Sequence, residues 1–285
     1  MPYSMKPTLA LVLAGMALAL PVSAQESMEG ETIELKNCEL TVPGTPLSTV
    51  GQCGWLKMPE NPADPEGRQI DIRVARVPAR GRVTEPDPLV FFAGGPGQAP
   101  TQSGPIVARA LYKVTESRDV LLVDQRGTGQ SNPMKCPQVE LEDAMGTDWE
   151  QLAEHTRECL ASMEGDPRFY TTTIARADID AARQALGYEQ VNLYGGSYGT
   201  RAAQVYYRLF PEQVRSIVLD GVVPQTLGLG TEHAMKLDQA IYRVLDGCEA
   251  DAECSEKFPG TAQKLRDLIR FTIEQPVDVT VDHPT

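Results

Sequence analysis

Histidine is scarce in this chain, with three among 285 residues: His155, His233 and His283. Any chemistry that needs an imidazole base therefore has few positions to draw on. Basic residues are outnumbered, 26 Lys and Arg against 39 Asp and Glu, for a formal net charge of −13. Such a surface repels polyanions, and no basic cluster interleaved with aromatics offsets it, so nucleic acid is not an expected partner. None of the six cysteines has CxxC spacing with partner histidines, which argues against zinc. The Gly-rich stretches lack the Gly-Lys-Ser/Thr ending of a phosphate loop, and no cofactor is expected. Long apolar runs are missing beyond Leu9–Leu20, which at about 12 residues falls short of the ~20 that cross a bilayer.

What is present is an ordinary globular composition, 41% hydrophobic and 23% charged, enough for a sizeable core. Lys6 before the apolar run and Val22-Ser23-Ala24 before Gln25 read as a signal peptide cleaved after Ala24. A secreted or periplasmic chain with no stable membrane anchor is expected, and residues 1–24 are excluded from the fold. An oxidising compartment lets six cysteines pair, leaving no obligatory free thiol. Neighbour pairing is the expected connectivity: Cys38 with Cys53 across a hairpin, Cys136 with Cys159 closing a loop onto a helix, Cys248 with Cys254 at a helix end.

Short strand-like runs open the chain: Thr32–Leu40, Gly54–Met58 and Gln69–Val77, the last alternating through Ile70, Ile72 and Val74. These predict an antiparallel entry to a sheet. The pattern then becomes Leu89–Phe92, Val120–Val123, Val191–Tyr194 and Ile217–Leu219, apolar runs typical of strands buried on both faces. Helices are predicted over Trp149–Met163, Ile174–Leu186 and Tyr198–Leu209, the last stopped before Pro211. Strands alternating with helices imply an α/β fold, a doubly wound and mostly parallel sheet. After Pro224 the strand signal stops, and Glu232–Leu245 and Ala262–Glu274 predict two helices of a separate element.

Gly195-Gly196-Ser197-Tyr198-Gly199 matches G-x-S-x-G directly after a strand and before a helix, the context of a nucleophilic serine on a strained turn. The helix behind it favours negative charge at a reacting carbonyl. Ala93-Gly94-Gly95-Pro96-Gly97 follows Leu89–Phe92 as a rigid, Gly-rich loop. Its Gly95 amide, with that of Tyr198, is expected to form an oxyanion hole. Asp124 and Arg126, in Asp124-Gln125-Arg126-Gly127-Thr128-Gly129-Gln130-Ser131, are expected to tie the neighbouring loops by charge-assisted hydrogen bonds.

The run of GGPG, DQRGTGQS and GGSYG at successive strand ends resembles the α/β-hydrolase family of prolyl iminopeptidases and tripeptidyl aminopeptidases. The resemblance covers roughly residues 50–285. It implies an α/β-hydrolase fold with a helical lid inserted after the sixth strand, Ser197 as nucleophile, and Gly95 and Tyr198 as oxyanion donors. It also implies peptide substrates with a free N-terminus. Ala93 stands where prolyl iminopeptidases have His, and Tyr198 where they have Trp; both look more like the secreted tripeptidyl-aminopeptidase branch. The domains expected are the signal peptide 1–24, the first part of the catalytic domain 25–224, and the start of the lid 225–285. In this family the triad acid and histidine follow the lid. Neither His155, on a helix before the nucleophile, nor His233 or His283 is placed to serve, so both partners are expected beyond Thr285. Glu232 and Asp238 are candidates for the substrate ammonium. An esterase on the same scaffold and a non-catalytic binding protein stay open as alternatives.

Overall fold

The computed structural model describes residues 32–136, 149–228, 230–277 and 279. The signal-peptide segment and His283 lie outside the described residues. The chain divides into one unit ending at Val222 and a second beginning at Val223, two residues before the boundary expected from the loss of strand signal.

The first unit is built on one seven-stranded sheet: β1 (Lys36–Thr41), β2 (Ser48–Pro59), β3 (Gln69–Val77), β4 (Leu89–Phe92), β5 (Val120–Val123), β6 (Val191–Gly196) and β7 (Val214–Asp220). Its strand order is β1-β2-β3-β5-β4-β6-β7. The β1–β2, β2–β3 and β3–β5 ladders are antiparallel, the antiparallel entry that the sequence predicts. Only the run β5-β4-β6-β7 is parallel. The cause is connection length: residues 42–47 and 60–68 are short enough to turn the chain back on itself, whereas parallel neighbours need a crossover. Cys38 bonds to Cys53 across the first hairpin with a Cα separation of 5.8 Å.

Among the described residues, this unit has four α-helices: α1 (Pro100–Ala110), α2 (Trp149–Ser162), α3 (Thr172–Ala185) and α4 (Tyr198–Leu209). The sequence pattern does not predict α1, because Pro105 and Gly104 interrupt it; the helix nevertheless continues through Pro105. Thr171 caps α3, its hydroxyl accepting the Ile174 N–H at 3.4 Å. Strand residues alternate between two apolar clusters. Val90, Phe92, Leu121, Val123 and Leu193 pack with Ile179 of α3 and Ala202 and Tyr206 of α4. Leu89, Val120, Leu122 and Ala75 pack with Val107 of α1. Helices thus cover both faces, as the apolar strand runs require. Cys136 bonds to Cys159 of α2.

The second unit is helical: α5 (His233–Ala250), α6 (Ala252–Lys257) and α7 (Thr261–Glu274). It follows β7. The sequence predicts two helices here; the first runs five residues past Leu245, and a short third one intervenes. Asp251 starts α6 by accepting the Cys254 N–H at 2.8 Å, and Cys254 bonds back to Cys248 of α5. Among the described residues, no helix is long and apolar enough to cross a membrane.

Candidate active site

β6 ends at Gly196 and α4 begins at Tyr198, which leaves one residue to reverse the chain. That residue, Ser197, adopts φ 53°, ψ −122° and is exposed. Few L-residues occupy this region, and the conformation persists only where neighbours hold it. The hold comes from both sides: the Ser197 N–H donates to the Asp220 carbonyl at 2.8 Å, and its own carbonyl accepts from the Thr200 N–H at 3.0 Å and hydroxyl at 2.7 Å. Gly199 is required at its place because a Cβ there would overlap the Phe92 carbonyl. The turn is therefore pinned to the end of β4 as well as to β7.

The loop after β4 stands against the serine. A Cβ built on Gly94 would lie 3.2 Å from the Ser197 Cβ, and Gly95 turns the chain at φ 105°. Tyr198 is the first residue of α4, so its N–H has no intrahelical acceptor and sits at the positive end of the helix. Tyr198 is itself buried, its hydroxyl sharing a 2.5 Å hydrogen bond with that of Thr172. A small open pocket lies next to the serine's neighbours Gly94 and Tyr198, with further walls from Phe92, Gln125, Arg176 and Ala202 among others.

Asp124 and Arg126, which follow β5, are both sealed from solvent. Asp124 accepts from the Thr101 N–H at 3.0 Å and hydroxyl at 2.8 Å and from the Gln130 N–H at 3.2 Å. Burial raises its carboxyl above the ordinary value, opposed by these bonds and by Arg73. Arg126 forms a two-pronged pair with Asp178 of α3, at 2.7 and 2.6 Å, and donates to the Glu60 carbonyl at 2.7 Å and the Phe169 carbonyl at 3.1 Å. One side chain thereby joins the end of β5 to the end of β2 and to α3.

The remaining candidates are carried by other elements. His155, on α2, ion-pairs with Glu158 at 3.7 Å if protonated. His233, Glu232 and Asp238 belong to the second unit, where His233 Nδ1 accepts the Gly230 N–H at 3.0 Å. Among the described residues, no three His, Cys, Asp or Glu groups gather as a metal site. Two residues at the site are not singled out by the sequence. Asp220 holds the Ser197 amide and accepts the Tyr194 hydroxyl at 2.7 Å; its position at the last residue of β7 is the one signal that could have marked it. Arg176 has no local signal, since only the packing of α3 brings it to the pocket that Gly94 and Tyr198 line.

Comparison with known proteins agrees with this geometry. Residues 87–247 match the model of the alpha/beta hydrolase fold. The chain is 29% identical over 235 residues to serine protease Hip1 of Mycobacterium tuberculosis, covering 75% of this chain and 44% of that protein. It is 34% identical over 190 residues to tripeptidyl aminopeptidase of Streptomyces lividans, covering 60% of this chain and 35% of that one. Identity to proline iminopeptidase of Neisseria gonorrhoeae is 27% over 135 residues, 47% of this chain and 32% of that one. The chain thus spans less than half the length of these relatives. With a serine on the strained turn between β6 and α4 and more than half its length matched, it belongs to the alpha/beta hydrolase fold family.

Proposed function

We propose that the protein is a secreted serine hydrolase, and specifically an exopeptidase that releases N-terminal residues through an acyl-enzyme. The observation that carries the reading is Ser197 at φ 53°, lifted clear of the sheet with the Gly94–Gly95 loop against it. In this reading the Ser197 hydroxyl attacks the scissile carbonyl, and the amides of Tyr198 and Gly95 donate to the oxyanion that forms. A serine hydroxyl is a weak nucleophile until an imidazole takes its proton. His155 is engaged on α2, so the base is assigned to the triad histidine of the family. Collapse of the oxyanion breaks the C–N bond, the histidine returning its proton to the leaving amine; water, deprotonated by the same histidine, then attacks the acyl-enzyme and frees the acyl product and the Ser197 hydroxyl. Glu232 and Asp238 are the carboxylates this reading offers to the substrate ammonium. Three disulfides among the described residues support export to an oxidising compartment.

The test is a fluorophosphonate label on the full-length protein, followed by turnover of tripeptidyl and aminoacyl anilides beside a short-chain nitrophenyl ester. Labelling at Ser197 with anilide turnover supports the exopeptidase. Labelling with ester turnover alone moves the protein to the esterases, and no label moves it to a binding role.

A further inference from the structure

Hydrolysis at Ser197 makes no use of Arg176, a side chain of α3 that is 1% exposed and yet lines the same pocket as Gly94 and Tyr198. Its Cζ lies 5.0 Å from the centre of the Phe92 ring, and Nη2 donates to Gln125 Oε1. Nε, also buried, has no hydrogen-bond partner among the described residues. Nor does it have a carboxylate to itself: Asp178, whose charge reaches it, is held at both oxygens by Arg126. Burial pushes the guanidinium below its ordinary value against the pull of Tyr198, Asp178 and Tyr206. Buried charges are ordinarily paired and buried donors satisfied. A pocket wall that meets neither condition is completed by an anion with oxygen acceptors.

We infer that this pocket is a carboxylate subsite, with Arg176 as its cation and Gln125 and Thr128 as its polar flanks. The substrate class follows: acyl donors with an acidic side chain, Asp or Glu, beside the scissile carbonyl. A planar, singly charged carboxylate suits one guanidinium set among Phe92, Val123, Ile179 and Ala202, whereas a tetrahedral dianion would need more donors than these walls supply. The catalytic meaning of the subsite rests on the hydrolase reading, but its binding does not.

The experiment therefore measures binding by calorimetry on the full chain carrying Ser197→Ala. The probes are the α-amides of glutamate and glutamine, which differ only in side-chain charge, and inorganic phosphate. The glutamate amide should bind at least about tenfold tighter than the glutamine amide. Arg176→Met should erase that difference, and Arg176→Lys should retain part of it. Equal binding of acid and amide, no binding of either, or phosphate binding as tightly as the acid would overturn the subsite. Should Arg176→Met fail to fold by circular dichroism, the acid–amide comparison and Arg176→Lys still decide. Failure of the hydrolase reading shows separately, as absence of the fluorophosphonate label on unsubstituted protein.

Discussion

The two ends of β4 and β6 are built on opposite terms. Where these parallel strands begin, charges are matched: Asp87 accepts from Arg118 at 3.1 Å, Arg215 at 2.6 Å and Asn192 at 2.6 Å, and Asn192 Oδ1 accepts from the Ser216 hydroxyl at 2.6 Å. Where the strands finish, Ser197 sits in a strained conformation, Gly95 turns at positive φ and the Arg176 Nε is unmet. The same two strands therefore carry a satisfied network at one end and a set of unused donors at the other. The contrast locates chemistry at the end where local rules are broken and stability at the end where they are kept.

Substitutions at the two ends should separate cleanly, and the largest effect belongs to the nucleophile. In the full-length protein, Ser197→Ala should lower kcat by on the order of 10⁶-fold while Tm stays unchanged, because an exposed turn residue contributes little packing. A loss of only a few-fold in anilide turnover would remove Ser197 from the mechanism and the contrast with it.

Next in size is the support beneath the site. Arg126→Met leaves Asp178 buried without its partner, and denaturant unfolding should show a loss of about 3–5 kcal/mol. Retained stability would mean that water or a shifted side chain reaches Asp178, and that this end is less rigidly supported than the bonds of Arg126 indicate.

Gly95→Val should lower kcat by on the order of 100-fold, since a β-branched residue cannot hold φ 105° and would displace the amide aimed at the oxyanion. Full kcat in a folded variant would exclude the loop from the site and shift the donor role to another amide.

The smallest effect is expected at the satisfied end. Burial tends to raise the Asp87 carboxyl, but hydrogen bonds from Asn192 and Arg118 and the charges of Arg118 and Arg215 prevail and hold it down at about 2. A depressed carboxyl contributes stability that is present above its unfolded value near 4 and is lost as pH falls toward 2. Asp87→Asn should therefore cost on the order of 1–2 kcal/mol at neutral pH and flatten the acid limb between pH 4 and 2, with anilide turnover unaffected. Reduced turnover without reduced stability would show that the two ends are coupled.

Much of this architecture is legible in the amino-acid sequence. The seven strand runs, the helices read from periodicity and the G-x-S-x-G turn are local signals, each read from a short window of sequence. The pairing of Cys38 with Cys53 follows from the same locality, since a hairpin brings its own neighbours together. One local signal misleads for a physical reason. α1 carries Pro105 and Gly104, which weaken an isolated helix, but its buried side packs on the sheet through Val107.

The sequence alone determined the fold class, the candidate nucleophile and the glycine loop that faces it, because a nucleophile elbow is a contiguous motif whose strain only certain residues tolerate. Tertiary structure alone decided that Asp220 holds the Ser197 amide, that Asp178 neutralises Arg126 across 52 residues, and that Arg176 reaches the pocket with a donor to spare. These are relations between groups distant along the chain. Their partners are chosen by how β5, β6, β7 and α3 pack, and no spacing within any one of those segments encodes that choice.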